Sequence, residues 1–418
     1  MLKKLFLMLL LPASVLLASG FSIYEQSARA TGMAGAVIAR ADDPSAIFYN
    51  PAGISALQGW QLNAGTTLIQ PEFGFTGPTN MDSRYFTRAQ KGSFFPSTFY
   101  LTYQIKPGLT VGVSLYSPFG LASEWGTDSQ PWVGRLLATK TELTSFAVNP
   151  VIAYRLGDNL SLALGFSVLQ ANVTMEKDIY FAPRMLYGHS RLEAGALGTG
   201  FNLGIQYTLF GRLHLGAQYR SGTNLKFEDG DAYFSFPQTT DAVINQEIAS
   251  LFPAKTKGSA ELNLPASYGL GIALDFTKNL SFELDYLVQA WSSYDELKIT
   301  FKDPVAGQTE SVNPRHYQDS YSIRFGLEYR MENNFTVRAG YCWDQHAVPD
   351  EYVEPGLPES DRHNYTLGFG YRFHRISIDL AYHLLLQDDR EVSNTVHNFD
   401  GKYTGMANLY GLSVGYSF

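Results

Sequence analysis

Large apolar side chains alternate with small or polar ones along most of this chain, and no other feature constrains its fold as strongly. Three stretches show the pattern without a break: residues 321–330, 364–373 and 410–418. In the last of them, tyrosine, leucine, valine and phenylalanine occupy the even positions, whereas glycine and serine occupy the odd ones. Because successive side chains of a β-strand point to opposite faces, this period indicates strands with one apolar and one polar face. The chain is therefore predicted to be all-β.

The connections between the predicted strands alternate in length. Short connections occur at 106–108, 157–159, 210–211, 277–279, 332–333 and 374, and long polar segments occur at 76–93, 119–141, 182–195, 228–257, 303–318, 347–361 and 389–403. They divide the chain into about fourteen strands, an even number, as in bacterial single-chain outer-membrane barrels. Short periplasmic turns and long extracellular loops are typical of a transmembrane antiparallel β-barrel, and we predict that fold.

Other architectures fit the pattern less well. A β-sandwich also alternates, but its strands are commonly about 5–6 residues long, shorter than many of the stretches here. Propeller blades would repeat roughly every 40 residues, and the sequence shows no such repeat. A bundle of membrane helices is excluded because no run approaches roughly eighteen uninterrupted apolar residues. The abundance of tyrosine (26), phenylalanine (28) and glycine (38) is a β-rich bias.

Closure of the barrel determines where the charged residues of the strands should lie. An open sheet edge would leave unpaired backbone groups in hydrocarbon, so the sheet must close, with its apolar face toward lipid and its polar face toward the lumen. The charged residues on the polar face are Arg220, Glu283, Asp285, Arg324, Glu328, Arg330, Arg338, Asp344 and Asp379. We interpret each of them, including Asp344, as a polar lumen residue held in an ion pair of the barrel wall.

Residues 1–20 are predicted to be a secretory signal peptide. Lys3 and Lys4 precede an apolar run at 5–17 and a cleavage site of small residues at 18–20. The chain is therefore expected to leave the cytoplasm.

The next residues, 21–57, lack the alternation of the strands. They contain the sequence Asn50-Pro51-Ala52. Asn50 is expected to form an Asx-type turn in which Pro51 presets φ. An ordered segment ahead of a barrel has room only in the periplasm or in the lumen. We predict that residues 21–57 form a hatch, or plug, within a barrel of residues 58–418.

Several blocks of the sequence resemble the FadL family of outer-membrane long-chain fatty-acid transporters. The Asn-Pro-Ala motif of the hatch is followed, in the order of the family, by YSPFGLASEW (116–125), LNLPAS (262–267), WSSYDELK (291–298), LPESDR (357–362) and YGLSVGYSF (410–418). These blocks extend along most of the mature chain, and together they are far more specific than the Asn-Pro-Ala motif alone.

The resemblance implies a fourteen-stranded barrel with an N-terminal hatch in the outer membrane of a Gram-negative bacterium. Members of the family take up long-chain fatty acids or, in a related branch, aromatic hydrocarbons. The implied mechanism is capture in an extracellular hydrophobic groove, passage to a deeper pocket and lateral release through a gap in the wall when the hatch rearranges. The sequence leaves fatty acids and aromatic or alkane hydrocarbons open as substrates. A general diffusion porin for small polar solutes is a third reading, which the hatch disfavours.

The strand that begins at Leu160 predicts an apolar ligand-binding surface. Its lumen-facing positions begin small or polar and become apolar toward the extracellular end, at Leu169, Val173 and Met175. An oily ligand needs such a surface because each methylene left in water forfeits about 0.8 kcal/mol. Lys177 follows on the same parity, and by the resemblance it lies where the family has a carboxylate-binding arginine. Lysine keeps that charge but loses the bidentate geometry.

Lys298 matches a headgroup lysine of the family, within the block at 291–298. Its even position argues against a ligand contact, because the even positions of the preceding strand face lipid. A bulge near 291–293 would turn Lys298 toward the ligand. The alternative is a surface position above the membrane.

Pro118, Phe119 and Gly120 interrupt the third predicted strand. Proline removes a donor from the ladder and glycine permits a bend, so we predict a lateral gate at this kink. The position matches the kinked strand of the family, and we expect the turn at Asn50 and Pro51 to press against the gap. The alternative is an ordinary strand end.

Two of the long loops contain apolar residues suited to capturing a ligand. The residues Ile244, Ile248, Leu251 and Phe252 fall on one face of a predicted helix over 241–252. Trp132, Leu136 and Leu137 do the same within 132–143. The alternative is that these loop helices merely cover each other.

The sequence carries no pattern that points to catalysis, a metal or a cofactor. Its eight histidines form no HExxH pattern, and one cysteine, Cys342, supplies neither a disulfide framework nor a Cys-rich metal site. The net charge of −8 gives no basic surface for nucleic acid. We predict a passive transporter, not an enzyme, that acts as a monomer. Its predicted partners are a hydrophobic small molecule and outer-membrane lipid, including lipopolysaccharide.

Overall fold

A computed structural model of the chain describes residues 20–79, 85–127 and 129–418. The predicted signal peptide, except for Gly20, lies outside the described residues. None of the helices in the described part is long and apolar enough to cross a membrane.

Fourteen strands of the described residues form the wall of the barrel, some of them in two segments. In chain order they are β1 Trp60–Gly77, β2 Ser97–Lys106, β3 Leu109–Tyr116 with Gly120–Glu124, β4 Lys140–Leu156, β5 Leu160–Phe181, β6 Leu186–Leu209, β7 Leu213–Arg220 with Thr223–Ser235, β8 Lys255–Leu264 with Ser267–Asp275, β9 Leu280–Gln289 with Glu296–Val305, β10 Gln308–Pro314 with Ser320–Arg330, β11 Phe335–Asp344, β12 Arg362–Phe373, β13 Ile376–Gln387 and β14 Gly401–Ser417. The short strands Tyr85–Arg88 and Arg390–Val392 extend the sheet at its extracellular end.

The sheet is antiparallel and closes on itself. Strand β14 pairs with β1 from Gln61↔Ser417 to Thr76↔Lys402, and β1 in turn pairs with β2. Closure removes the exposed sheet edges that hydrocarbon does not tolerate. The predicted fold, an antiparallel barrel of fourteen strands, is confirmed.

The outer surface of the wall is apolar, as the alternation predicted. On β5, Leu164 and Phe166 are about half exposed, whereas the intervening face of the strand points inward. The same holds on β12, where Leu367 and Phe369 point outward. These side chains form the surface that lipid covers.

All six predicted short connections join consecutive strands. Several of the predicted long loops, however, consist largely of β-strands that form hairpins. The segment 182–195 is an example, because β5 and β6 continue their ladder up to Phe181↔Leu186 and turn at Ala182–Arg184. Polar and apolar residues are mixed in this part, with the charged pair Glu176↔Arg191 close to apolar residues such as Ile179 and Leu192. A strand that stands in water above the bilayer needs no apolar face, so its alternation is absent and the sequence looks like a loop.

The N-terminal segment, residues 20–57, lies inside the barrel. It contains the short helices Ala28–Thr31 and Ala46–Tyr49 and the 3-10 helix Pro51–Ala56. The amide of Ala28 donates to the Ser413 hydroxyl on β14 at 2.9 Å, and the Asn50 side chain donates to the Ile205 carbonyl on β6 at 3.0 Å. Since strands distant in the wall hold the same segment, it crosses the lumen.

Charged side chains of the wall satisfy the backbone of this segment. Asp285 on β9 accepts the amides of Val37 and Ile38 at 2.8 and 2.9 Å, and Glu283 accepts the amide of Ala39 at 2.6 Å. Arg324 on β10 donates to the Ala34 carbonyl at 2.9 Å. The sequence predicted ion pairs within the wall. Glu283 and Asp285 bind the N-terminal segment instead, whereas Arg324 does both, since it also pairs with Asp344 of β11 at 3.1 Å. The odd or even position of a residue in a strand predicts whether its side chain faces the lumen, but not which segment of the chain fills the lumen.

Other lumen charges form an ionic cluster toward the periplasmic end. Glu328 accepts from Arg338 at 2.7 Å and pairs with Arg29 of the N-terminal segment at 3.4 Å. Arg338 also donates to Asp379 at 2.7 Å. These contacts fix the first helix of the segment to β10, β11 and β13.

Candidate functional site

Two adjoining cavities lie inside the extracellular half of the barrel. The upper cavity, nearer the long loops, has a volume of ≈ 130 Å³, and the lower cavity has a volume of ≈ 470 Å³. Both are lined by Phe21, Leu121, Leu143 and Leu357, which therefore form the boundary between them. The lower cavity is within the range of about 300–1,000 Å³ that is usual for small-molecule sites.

The upper cavity is walled by apolar side chains of consecutive strands. These include Leu143, Val173, Met175, Leu192, Phe227, Leu262, Leu297 and Ile299. Val173 and Met175 are residues that the sequence predicted for a ligand-binding surface. Leu169, predicted with them, is buried in the apolar core below and does not line this cavity. The surface predicted on β5 thus starts two inward-facing positions later, at Val173.

One end of the upper cavity is polar. Arg315 and Glu354 form an ion pair there, beside the buried rings of Tyr294 and Tyr317, whose centroids are 4.9 Å apart. None of these four residues was predicted from the sequence. They belong to segments without periodicity, and a tyrosine or arginine in a polar segment carries no signal of burial.

The lower cavity reaches from the N-terminal segment to the wall. Asp344, predicted as a polar lumen residue, lines it and accepts from Arg324 at 3.1 Å and from the Asn364 amide at 2.8 Å. Glu25 and Arg362 complete this polar side. The opposite side is apolar, with Ile69, Phe73, Phe94, Phe119, Leu121, Leu143 and Leu409.

The lower cavity reaches the backbone of the wall at β3 and β4. Four consecutive residues of β4, 142–145, line it, although Leu143 and Ser145 point inward and Thr144 points outward. Residues 119–122 of β3 also line it in succession. Consecutive lining residues mean that the cavity reaches the backbone of these strands, at the place where β3 is interrupted.

The kink predicted in the third strand is a break in the ladder. Tyr116 pairs with Ala147 and Gly120 with Thr144, so β3 uses one residue more than β4 across the same interval. The Ser145 hydroxyl accepts the Phe119 amide at 2.9 Å, which satisfies a group that the ladder leaves unpaired. This is a β-bulge with proline at its centre.

On the other side of β3, the pairing with β2 stops at Phe99↔Leu115. On this side, within the described residues, the segment Gly120–Glu124 contacts residues that precede β2 in the chain. The contact lies near the end of the segment, where the amide of Gln90 donates to the Glu124 carbonyl at 2.7 Å. A stretch of wall without a strand ladder therefore lies beside Pro118 and Phe119.

The first residues of the N-terminal segment cover that stretch. The amide of Ile23 donates to the Pro118 carbonyl at 2.8 Å, and the amide of Gly120 donates to the Phe21 carbonyl at 3.0 Å. Ser22 thereby faces Phe119 as in an antiparallel bridge. The N-terminus supplies the strand partner that the wall lacks.

The sequence predicted that Asn50 and Pro51 would press against this gap, and their placement is different. Asn50 caps the 3-10 helix by accepting the Ala52 amide at 3.2 Å, as an Asx turn does, and Ala52 is fully buried. The same side chain donates to the Ile38 carbonyl at 2.7 Å and to β6. Gly204 of β6 makes room for it, since a Cβ there would collide with Asn50. The motif anchors the segment to the wall away from the kink.

Neither predicted headgroup lysine lines either cavity. Lys298 is exposed and pairs with Glu310 at 2.9 Å, while its neighbours Leu297 and Ile299 face the upper cavity. The turn at Trp291–Ser293 interrupts β9 but leaves its parity unchanged, so the proposed bulge does not turn Lys298 inward. Lys177 is also exposed, and its ammonium acts electrostatically on His397 of the loop above.

The predicted loop helix over 241–252 is present as Ala242–Leu251, capped by Asp241. Its apolar face packs against phenylalanines of the wall extensions, among them Phe181 and Phe234. The structure therefore has the second arrangement considered for this loop, in which the helix packs against neighbouring segments. The second predicted helix, over 132–143, is wrong: the chain forms turns up to residue 137, and Leu143 belongs to β4. Trp132 is buried by stacking on Trp125 with centroids 4.9 Å apart.

Comparisons with known proteins agree with this architecture. The family model described as Outer membrane protein transport protein (OMPP1/FadL/TodX) matches residues 9–418. A long-chain fatty acid transport protein of Escherichia coli O6:H1 is 26% identical, over 96% of this chain and 95% of its own.

Among solved structures, a Pseudomonas aeruginosa FadL homologue aligns with a TM-score of 0.82 at 22% identity, over 96% of this chain and 100% of that one. The Pseudomonas putida toluene transporter TodX aligns with a TM-score of 0.74 at 18% identity, with the same coverage of both chains.

Proposed function

The chain belongs to the outer membrane protein transport protein family (OMPP1/FadL/TodX) and is an outer-membrane transporter of hydrophobic compounds, and from this premise we propose a path for its cargo. The cargo enters the upper cavity from the extracellular loops and moves to the lower cavity. It then leaves sideways between β2 and β3. The observation that carries this proposal is the gap in the strand ladder beside Pro118 and Phe119, which the lower cavity reaches.

Residues 21–57 act in this proposal as a hatch within the barrel of residues 58–418. The gap at Pro118 and Phe119 is covered by two backbone hydrogen bonds with residues 21–23, by the bond that Nε2 of Gln26 donates to the Ser117 carbonyl at 2.7 Å, and by the ring of Phe21 beside that of Phe119. Each such bond is worth only about 0.5–1.5 kcal/mol net, so a ligand in the lower cavity can compete with residues 21–23 for their place. The ionic anchors of the rest of the segment remain in place during this exchange.

Long-chain fatty acids are the first candidate cargo. The relative from Escherichia coli is named for their transport, and the two cavities supply a continuous apolar surface for an acyl chain. Val173 and Met175 would contact that chain, with Leu169 supporting them from below. Lys177, at the exposed rim, would meet an anionic headgroup before it enters; replacing it with alanine should weaken fatty-acid binding, and unchanged affinity would remove it from the site.

Hydrocarbons are the second candidate. The upper cavity of ≈ 130 Å³ is close to the size of about 150 Å³ at which an apolar cavity holds one benzene ring. The toluene transporter shares the fold with this chain, which by itself does not assign its cargo. A pore for small polar solutes is disfavoured because the N-terminal segment crosses the lumen.

A disulfide between residues 22 and 119 tests the path. In a Cys342→Ser background, Ser22→Cys with Phe119→Cys joins two residues that face each other in the bridge. Oxidation should abolish uptake of oleate by cells or vesicles, and reduction should restore it. A matched control joins Leu156→Cys and Leu160→Cys, which are paired across a periplasmic turn and should leave uptake unchanged. Full uptake by the oxidised 22–119 variant would refute lateral release at this gap.

A further inference from the structure

The polar end of the upper cavity has no net charge from its buried groups. Arg315 is 7% exposed at its side chain and is paired with Glu354. Because arginine is always protonated in proteins, the pair is a cation and an anion that cancel. The other charged residues lining this cavity are carboxylates, Glu193 and Asp231, which pair with cations at its edge.

Arg315 nevertheless keeps one hydrogen-bond donor available. Its Nε is buried and has no acceptor among the residues that the structure describes. Leaving a buried donor unpaired is unfavourable, so a ligand that brings an acceptor to this N–H gains a bond that the protein does not make by itself. The rings of Tyr294 and Tyr317 flank this position, and the rest of the cavity wall is apolar.

Apart from Arg315, no cation of the described residues lines the cavity. Arg191, Lys255 and Lys257 are engaged by the carboxylates Glu193 and Asp231 at its edge. Lys298 points away and is paired with Glu310, and Lys177 is at the exposed rim. His397 lies 3.6 Å from the second carboxylate oxygen of Glu354, but burial lowers its pKa, so it stays neutral at neutral pH. An ionised carboxylate beside Arg315 would therefore also lie beside the negative charge of Glu354, in a cavity whose wall is otherwise mostly apolar.

We propose that the upper cavity binds its cargo as an uncharged amphiphile, an apolar chain or ring that ends in one hydrogen-bond acceptor taken by Nε–H of Arg315. A fatty acid would occupy this cavity as the neutral acid, and a fatty alcohol would fit without any proton transfer. The inference rests on the proposed function, since it specifies the form in which the transported compound passes the first cavity.

Binding of three ligands of equal length tests this assignment. The full-length mature protein in lipid nanodiscs at pH 7.5 is titrated with decan-1-ol, decanoate and decane, each competing with the uncharged fluorescent probe N-phenyl-1-naphthylamine, and empty nanodiscs are subtracted. We expect decan-1-ol to bind at least tenfold more tightly than decanoate and severalfold more tightly than decane. Decanoate as the tightest of the three would overturn the inference while leaving the proposed function intact.

A single substitution should reverse the preference. Glu354→Gln removes the negative charge and leaves Arg315 as an unbalanced cation, so decanoate affinity should rise at least tenfold while that of decan-1-ol stays within about twofold. The double variant Arg315→Met with Glu354→Gln keeps the cavity neutral without the donor, and decan-1-ol should then bind no better than decane. Glu261→Gln, an exposed carboxylate on β8, is the matched control and should change nothing.

The remaining outcomes are also decisive. Heat-modifiable migration in gels verifies that each variant forms a folded barrel. If folded Glu354→Gln shows no gain in decanoate affinity, the ion pair does not govern selection and the inference fails. If none of the three ligands displaces the probe from the wild-type protein, the internal cavity is not a binding site and the proposed function fails with it.

Discussion

Two parts of the barrel wall differ in what closes them. Between β5 and β6 the ladder runs without a register shift from Leu160↔Tyr207 to Phe181↔Leu186. Between β2 and β3 it ends at Phe99↔Leu115, and the N-terminal segment provides the next hydrogen bonds. The first part is closed by the wall itself and the second by a segment held separately. On the proposed path, an opening in the second part would cost no strand pairing within the wall.

The largest effect should come from placing proline in the continuous part. Ala171 of β5 is fully buried and paired with Ser145 on one side and Ala196 on the other. Ala171→Pro removes a ladder donor in a strand without a bulge, which costs about 3 kcal/mol or more by analogy with other regular structure. The yield of heat-modifiable barrel in the outer membrane should fall severely. Pro118→Ala, at the existing bulge, is the control, and equal losses in both variants would erase the difference between the two parts.

The next effect concerns the anchor of the N-terminal segment. Asp285→Ala leaves the amides of Val37 and Ile38 without their acceptor, and each buried unpaired donor costs about 1–3 kcal/mol. Hydrogen exchange should speed up in residues 36–40 while the β5–β6 ladder keeps its protection. Asp158→Ala, in an exposed periplasmic turn, should leave both unchanged. Equal loss of protection in the wall would show that segment and wall unfold as one unit.

A smaller effect is expected at the bulge itself. Ser145→Ala removes the acceptor of the Phe119 amide, at a cost of about 1 kcal/mol if water replaces it and up to about 3 kcal/mol if none does. Hydrogen exchange of the backbone amides in residues 117–120 should be faster, and the disulfide between residues 22 and 119 should form less readily. Ser167→Ala on β5 is a matched serine in the continuous part. Unchanged exchange at 117–120 would mean that the hydroxyl does not hold the kink.

The smallest effect is a dependence on pH above the kinked part. The loop around Glu354 packs against the end of β3. The Ser123 hydroxyl donates to the Gly356 carbonyl at 3.1 Å, and the indole of Trp125, which follows β3, donates to the Pro355 carbonyl at 2.9 Å. Burial lowers the pKa of His397 beside it, so the unfolded loop binds a proton more readily than the folded one. Stability is therefore complete above about pH 6.5, the ordinary histidine pKa, and declines as the pH falls toward the lowered value.

Limited proteolysis of the loops at pH 7.5 and pH 5.5 measures this effect. Cleavage near residues 350–360 and 393–400 should be faster at the lower pH, and His397→Gln should reduce the difference. A difference that persists unchanged in the variant would assign it to other groups.

The wall could be predicted from the sequence because a bilayer imposes a regular pattern on each strand that crosses it. The turns at 157–159 and 374 were located correctly for this reason. The pattern ends where the strands leave the membrane, which is why the hairpin at Ala182–Arg184 looked like part of a long loop. The sequence left two positions open for Lys298, and the structure has the exposed one, in agreement with the alternation and without the bulge.

The site was less accessible to prediction because contacts between distant segments determine it. Val173 and Met175 were found by their place on a strand, whereas Arg315 and Glu354 come from two separate loops. Nothing local to either residue indicates that they meet. Likewise, Asn50 signals its own turn but not which wall strand that turn contacts, and residues 21–23 gave no sign that they would pair with the kink.

Photo-crosslinking tests the central claim most directly. An oleate analogue with a diazirine near the end of its chain is irradiated with the protein in outer-membrane vesicles, and adducts are located by mass spectrometry with excess oleate as competitor. The account predicts competable adducts on Leu143 and Phe119, where the lower cavity reaches the wall. Competable adducts confined to the extracellular loops and the periplasmic end of the lumen would contradict it.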